Sequence, residues 1–251
     1  MCTVVLLIRP GHAWPVVLVA NRDERVDRAW DPPAAWWPEY PDLIAGRDRT
    51  AGGTWMGMNG HGMTAAVLNR PGSLGPAAGK RSRGELPLRA LAETTAAYAV
   101  DMIQTVDAGL WRGFNLVIAD CGGATFIRGA GHGKPSAHQL PAGVSMITSR
   151  DPNDMESRRV ARHLMRFRNA AAPEPDAWDD WRAILSDRSG QAGEQINVVP
   201  RGGFGTVCSS LLAIPERGDP VWLFAAGAPH EAPFELVRAQ LVRAMSAASR
   251  P

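Results

Sequence analysis

The feature that most constrains this chain is a β-hairpin that its first two dozen residues predict. An apolar, β-branched run at residues 3–8 is typical of a buried strand. A Pro-Gly pair at 10–11 indicates a turn, and a second apolar run at 16–20 indicates the returning strand. The hairpin fixes which residues meet at its open end, and the polar residues of this region are concentrated there.

The register of the hairpin predicts these neighbours. Paired residue numbers in an antiparallel hairpin sum to a constant, so a turn centred near residue 11 or 12 sets Cys2 opposite Asn21 or Arg22. Asp23 and Glu24 follow directly. A thiol, a guanidinium and carboxylates are therefore expected to converge at one strand end.

This convergence has a chemical use. We expect removal of Met1, which would make Cys2 the first residue and give it a free α-amine. A cysteine attacks as its thiolate, and its pKa of about 8.5 falls beside a fixed cation such as Arg22. An α-amine with a pKa near 8 can take the thiol proton and return it to a leaving amine, with Asp23 as support. In the alternative interpretation Cys2 is a small apolar residue that begins a strand, and residues 22–24 are solvated loop charges.

Length and composition indicate one domain. The 251 residues and their 45% apolar content supply a large core, and no linker divides residues 1–251. The net charge is +2, and all but two of the 27 basic residues are arginines spread along the chain. A nucleic-acid surface would be a cluster, so we expect no nucleic-acid partner.

Cysteine usage and hydropathy point to a cytoplasmic protein. Cys2, Cys121 and Cys208 form no Cys-x-x-Cys pair, so neither disulfides nor a structural metal site is expected. No stretch reaches the roughly 18 apolar residues of a transmembrane helix. The first residues also lack the basic start and cleavage site of a signal peptide, so we expect a cytoplasmic location.

A second informative block runs from residue 43 to residue 71. Two apolar runs flank Asn59-Gly60, which predicts a second hairpin. Asn69 ends the second run, opposite a bend around Gly53 whose bare backbone suits the approach of a ligand or another strand. The Asn69 amide is thus a candidate oxyanion donor, and the alternative is a turn-capping role before Pro71. Trp55, beside this bend, favours an acyl or flat apolar ligand.

The rest of the chain predicts alternating groups of strands and helices. We interpret residues 30–38 as a proline-rich loop and 71–84 as a solvated loop that could meet an anionic ligand. A further hairpin is expected over 114–128, and a helix is expected to begin near Glu85. Other helices are predicted at 100–110, 154–168, 176–185 and 233–245, and other strands at 196–199, 205–214 and 221–225.

In combination, these residues resemble the NRDE family, named for the run Asn21-Arg22-Asp23-Glu24. The other matching motifs are Cys2 itself, the 51–55 block, Leu68-Asn69 and the run at 83–86. The family in turn resembles N-terminal nucleophile hydrolases of the penicillin V acylase and bile-salt hydrolase kind. The resemblance implies an α+β fold, a four-layer αββα sandwich of antiparallel sheets.

The resemblance also implies roles for individual residues. Cys2 would be the nucleophile and base, Arg22 and Asp23 its supports, and Asn69 the oxyanion donor. Ser149 stands where the family usually shows an asparagine. In the enzymes the Arg and Asp are three residues apart, whereas here they are adjacent, and adjacent strand residues point to opposite faces. The expected substrate contacts are Asn21, Gly53, Trp55 and Ser149.

Three functions are consistent with these observations. The first is hydrolysis of an amide or other acyl C–N bond through an acyl-enzyme on Cys2, or transfer of that acyl group. The second is a carrier or chaperone for haem or an acyl lipid, a role associated with eukaryotic relatives. The third is an assembly protein in membrane traffic. The hydrolase requires no cofactor, and haem enters only as a bound ligand of the carrier.

Overall fold

The computed structural model describes residues 2–237, in which the strands form two antiparallel sheets. Strands are numbered along the chain. In spatial order the six-stranded sheet contains β10 (Gly143–Ile147), β1 (Thr3–Ile8), β2 (Val16–Arg25), β11 (Phe204–Ile214), β12 (Val221–Ala225) and β13 (Glu235–Leu236). The seven-stranded sheet contains β3 (Trp30–Ala34), β4 (Ile44–Asp48), β5 (Met56–Met58), β6 (Thr64–Asn69), β7 (Phe114–Asp120), β8 (Gly123–Gly129) and β9 (Ser136–Gln139). The helices are α1 (Glu85–Leu91), α2 (Ala96–Thr105), α3 (Arg158–Asn169) and α4 (Asp179–Leu185), with a short 3-10 helix at Ala108–Leu110.

Three apolar clusters arrange these elements in four layers. Val4 and Leu6 of β1 pack into a cluster between the two sheets, whereas Val5 and Leu7 pack against α3 and α4. Both faces of β1 are buried, which explains why its sequence is continuously apolar. A third cluster joins α1 and α2 to the outer face of the seven-stranded sheet. The predicted α+β architecture, a four-layer αββα sandwich, is confirmed.

The first hairpin has the predicted register. Thr3 pairs with Asn21 and Ile8 with Val16, so Cys2, one residue before β1, is level with Arg22. On the other side of β2, Cys208 of β11 pairs with Arg22. Cys2, Arg22 and Cys208 therefore lie at the same level on neighbouring strands.

The loop prediction for residues 30–38 was wrong in its first half. Residues Trp30–Ala34 form β3, which pairs with β4 at the edge of the seven-stranded sheet. An edge strand tolerates prolines because only one of its sides needs to donate hydrogen bonds, and the pairing is irregular between Asp31 and Ala34, around the two prolines.

Other boundaries also differ from the prediction. The helix expected at 100–110 begins at Ala96, because the Thr95 side chain accepts a hydrogen bond from the Tyr98 N–H and caps the helix there. The helices expected at 154–168 and 176–185 begin later, at Arg158 and Asp179.

Two further element predictions failed. Residues 196–199 are not a strand, although Val198 exchanges hydrogen bonds with Thr206. Within the predicted helix at 233–245, residues Glu235–Leu236 instead pair with β12 as a strand. Residues 238–245 lie outside the described part of the chain.

Candidate active site

Cys2 is half-buried at the open end of the first hairpin. Its thiol lies 3.6 Å from the backbone oxygen of Asp23, to which it donates. Cys2 lines two neighbouring cavities, and Arg22, Trp55 and Val67 line both of them as well. The sulfur is therefore at the boundary between the two spaces.

The two cavities differ in size and chemistry. The smaller, about 20 Å³, lies between the sheets and is lined largely by apolar residues such as Val4, Met56 and Leu68. The larger, about 500 Å³, is lined by charged side chains and by the 74–77 segment. A ligand can thus place an apolar group on one side of Cys2 and a polar group on the other.

Arg22 faces the cavities and is held on several sides. Its guanidinium carbon lies 4.1 Å from the ring centroid of Trp55, a cation–π distance. Its Nη2 is 3.5 Å from a carboxylate oxygen of Asp48 and 3.9 Å from one of Glu24. Only 5% of the side chain is exposed, and within the described structure Nη1 has no hydrogen-bond partner.

Asp23 points to the opposite face of β2, as expected for the neighbour of Arg22 in a strand. Its carboxylate is fully buried, with one oxygen 2.8 Å from Nη1 of Arg159 on α3. The other oxygen accepts a 2.7 Å hydrogen bond from the Thr206 hydroxyl. The contact of Asp23 with Cys2 that the structure gives is therefore through its backbone oxygen.

Asn69 and Trp55 both line the larger cavity. Asn69 is the last residue of β6 and pairs with Phe114 of β7, so a regular sheet position fixes its backbone. The Trp55 ring also packs edge-on against Trp30, with centroids 5.7 Å apart. These two residues therefore share a cavity with Cys2.

Of the other three predicted substrate contacts, Asn21 lines the smaller cavity, whereas Gly53 and Ser149 line neither. The Asn21 amide donates to the backbone oxygens of Leu185 and Ile196 at 3.0 and 2.9 Å. Gly53 lies against backbone, since a Cβ there would come within 2.4 Å of the carbonyl carbon of Gly84. Its bare backbone therefore allows the close approach of Gly84, which is the N-cap of α1 and not a strand residue. Ser149 is buried just after β10 and is not among the residues that line either cavity.

The thiols of the site are protonated near neutral pH. Burial raises the pKa of Cys2 above its ordinary value, and the neighbouring Arg22 guanidinium offsets only part of this effect. Arg22 lowers this pKa as expected, but the loss of hydration on burial outweighs the attraction of the cation. Burial likewise raises the pKa of Cys208 to about 12. Reaction at Cys2 thus needs a base that removes the proton.

Sequence reasoning missed Arg159 and Thr206, which hold Asp23. The sequence contained a pattern that could have identified Arg159. Its spacing of four and eight residues puts it on the same face of the helix as His163 and Phe167, and both of these are buried. An arginine at such spacing indicates a buried charge partner. Thr206 gave no comparable signal, since its contact joins residues far apart in the chain.

Two negative findings concern residues 2–237. They hold no group of three or more His, Cys, Asp or Glu side chains suited to a metal ion. No helix among them combines the length and apolar character needed to cross a bilayer.

Comparison with known proteins identifies the family. The family model described as Transport and Golgi organisation 2 matches residues 1–222. The chain belongs to this family. The Transport and Golgi organisation protein 2 homologue of Bos taurus is 32% identical over 132 residues, 48% of this chain and 45% of the relative. The Homo sapiens homologue is 30% identical over 129 residues, with the same coverage. Each alignment thus spans about half the length of these Transport and Golgi organisation 2 relatives.

Solved structures with the same fold are N-terminal nucleophile hydrolases. The N-acylethanolamine-hydrolysing acid amidase orthologue of Caenorhabditis elegans matches with a TM-score of 0.60 and 12% identity, covering 94% of this chain and all of that one. Penicillin V acylase from Agrobacterium tumefaciens matches with a TM-score of 0.51 and 15% identity, covering 90% of this chain and 83% of that one. At these identities the similarity establishes that this Transport and Golgi organisation 2 family member has an N-terminal nucleophile hydrolase-like fold.

Proposed function

We propose that this protein hydrolyses an amide or another acyl C–N bond, with Cys2 as an N-terminal nucleophile. The observation that carries the proposal is the position of Cys2 between an apolar and a charged cavity, beside the fixed guanidinium of Arg22. The names of the structural neighbours, two amide-cleaving enzymes, add support.

The protonated thiol fits a mechanism in which the base belongs to the same residue. After removal of Met1, the α-amine of Cys2 accepts the thiol proton as the sulfur attacks the carbonyl carbon. A C–S bond forms, and the carbonyl oxygen becomes an oxyanion. We assign the role of donor to that oxygen to Asn69 Nδ2 and to Nη1 of Arg22, two residues that line the large cavity together with Cys2.

The remaining steps return the enzyme to its starting state. The C–N bond breaks as the α-ammonium gives its proton to the leaving amine, which leaves a thioester on Cys2. Water then loses a proton to the α-amine and attacks the thioester, and the thiol is regenerated as the acid departs. No cofactor is needed for these steps.

The test is a panel of N-acyl amides and thioesters assayed with wild type, Cys2→Ala and Asn69→Ala. We expect Cys2→Ala to abolish turnover. Asn69→Ala should lower kcat about 100-fold or more while KM changes little, because the donor acts mainly in the transition state. Cys121→Ala and Asn169→Ala, at exposed positions, are the matched controls and should keep full activity.

A carrier would behave differently in the same experiment. Its binding of haem or an acyl lipid, followed by titration, should survive Cys2→Ala and Asn69→Ala and should depend on Trp55. Tight haem binding that is unaltered in both variants, with no acyl release across the panel, would replace the hydrolase by the carrier.

A further inference from the structure

One wall of the large cavity carries three cations whose hydrogen bonds end on neutral groups. Arg112 donates through Nη1 to the backbone oxygen of Leu74 at 2.6 Å, and through Nη2 to that of Gly72. Arg83 donates through Nη1 to the backbone oxygen of Ser73 at 2.6 Å. Lys80 donates to the backbone oxygen of Gly109 at 2.5 Å. We call Lys80, Arg83 and Arg112 the cationic wall.

The other cations that line this cavity have carboxylate partners. Arg22 and Arg28 share Asp48 and Glu24, and Arg28 lies 2.7 Å from Asp48. Arg81 forms a 2.6 Å ion pair, with Glu85. Within the described structure, no ion pair joins an acidic side chain to any member of the cationic wall. On this side of the cavity the cations therefore have no acidic side chain among the described residues in direct contact with them.

The direction of the pKa shift of Arg83 agrees with the lack of an acidic partner among residues 2–237. Its pKa is lowered, first by burial and then by repulsion from Arg112. Two guanidinium groups that repel each other in a partly buried space favour a bound anion, which would remove the repulsion and supply charged acceptors.

We propose that the cationic wall binds a carboxylate or phosphate on the amine part of the substrate. This inference rests on the proposed amide hydrolysis and names its substrate class, an acyl group joined to an anionic amine. The apolar cavity beside Cys2, about 20 Å³, has room for a group of about the size of a methyl. An acyl group that enters it leaves the amine part in the charged cavity, on the side of the cationic wall.

A purely structural role for these cations gives a different expectation. Arg83 and Arg112 also tie the 72–76 segment to the body of the protein, through the backbone oxygens they contact. If that were their only role, their loss would weaken the binding of charged and neutral ligands by the same factor. The ratio of the two affinities is therefore the quantity that separates the roles.

The experiment compares ligand pairs in which one member carries an anionic group that the other lacks. N-acetylglycine is paired with N-acetylglycinamide, and N-acetylphosphoethanolamine with N-acetylethanolamine, which separates a carboxylate from a phosphate source. KM is measured with wild type, and Kd is measured calorimetrically with the Cys2→Ala protein. We expect at least one anionic ligand to bind about tenfold or more tighter than its neutral partner. This preference should shrink as NaCl rises from about 50 to about 500 mM.

Variants assign the preference to the wall. Arg83→Gln and Lys80→Gln should each lower it severalfold while the neutral ligand keeps its affinity, and Arg83→Lys should restore part of it. Arg25→Gln is the matched control, because Arg25 is exposed, pairs with Asp27 and lines neither cavity.

The outcomes separate this inference from the proposed function. Equal Kd values for charged and neutral partners in the Cys2→Ala protein, or an equal loss of both when Arg83→Gln is added to it, overturn the cationic wall as an anion site. A charge preference in the Cys2→Ala protein without any turnover by wild type supports the wall and overturns the hydrolase. Turnover by wild type without a charge preference supports the hydrolase and overturns the cationic wall as an anion site.

Discussion

At the scale of single residues, Arg22 has the most informative environment. A buried donor without an acceptor costs about 1–3 kcal/mol, and Nη1 of Arg22 is such a donor within the described structure. The Trp55 ring on one side and Asp48 on another fix the guanidinium all the same. This cost is accounted for if the donor meets a ligand oxygen when the cavity is occupied.

The reactivity of Cys2 should depend on its α-amine. Burial raises the pKa of the thiol, so a chain extended beyond Cys2 should react slowly with iodoacetamide at pH 7. Protein that begins at Cys2, released by a protease from an N-terminal fusion, should react about tenfold or more faster, because the amine can accept the proton. Peptide mass spectrometry against time gives the rate at each cysteine.

Two controls sharpen this measurement. The exposed Cys121 should react at the same rate in both forms, and the buried Cys208, with a pKa of about 12, should stay unlabelled in both. Equal rates at Cys2 in the fused and released forms would remove the α-amine from the mechanism.

The residue-level site was only partly predictable from the sequence. Register arithmetic in a short hairpin set Cys2 opposite Asn21 or Arg22, and the structure places it level with Arg22, because local turns fix local pairings. Asn21 has hydrogen-bond partners at Leu185 and Ile196, more than 160 positions away in the chain. Partners that distant depend on the packing of a whole layer, which no local pattern encodes.

At the scale of elements, caps and sheet edges explain the differences between pattern and structure. Ser157 caps α3 and Thr95 caps α2, so each helix starts directly after its cap and not at residue 154 or 100, as predicted. Strands β4, β9 and β10 were not predicted, because short strands acquire their identity from neighbours that the sequence pattern does not reveal.

Helix α3 contains a pH-sensitive position, His163. Its Nε2 lies 2.9 Å from the backbone oxygen of Glu194, and its Nδ1 lies 3.0 Å from Nη1 of Arg166. Only the neutral ring can donate to the first and accept from the second. Burial, assisted by the Arg166 cation, lowers the His163 pKa to about 4.

This shift predicts a loss of stability in acid. Between about pH 6.5 and 4 the unfolded chain binds a proton that the folded protein excludes, so stability is full above that window and falls as the pH falls through it. From pH 7 to 4.5 the loss should be about 2 kcal/mol greater in wild type than in His163→Gln. Urea unfolding at the two pH values measures the difference.

The control for this prediction is His132→Gln, at an exposed position. It should lose as much stability in acid as wild type does. An acid loss in His163→Gln equal to that of wild type would show that His163 is not the titrating group.

At the scale of the whole molecule, one buried ion pair joins an outer helix layer to the candidate site. Arg159 of α3 and Asp23 of β2 are 2% and 0% exposed, and Arg159 also donates to the Thr3 hydroxyl at 2.8 Å. The same Asp23 contacts the Cys2 thiol through its backbone oxygen. The helix layer therefore supports the strand end from which Cys2 reaches the cavities.

Replacing Arg159 should therefore lower the free energy of unfolding more than replacing its neighbour Arg158. Arg159→Met takes a charged partner from a fully buried carboxylate, and we expect the free energy of unfolding to fall by about 3–5 kcal/mol. Arg158→Met, at an exposed position one residue earlier on α3, should change it by less than about 0.5 kcal/mol. Adding Asp23→Asn to Arg159→Met should recover part of the loss, because the buried carboxylate charge that lost Arg159 is then removed as well. Denaturant unfolding measures the free energy of unfolding of wild type and the three variants. An Arg159→Met protein as stable as Arg158→Met would mean that the Arg159–Asp23 ion pair does not hold the helix layer to the site.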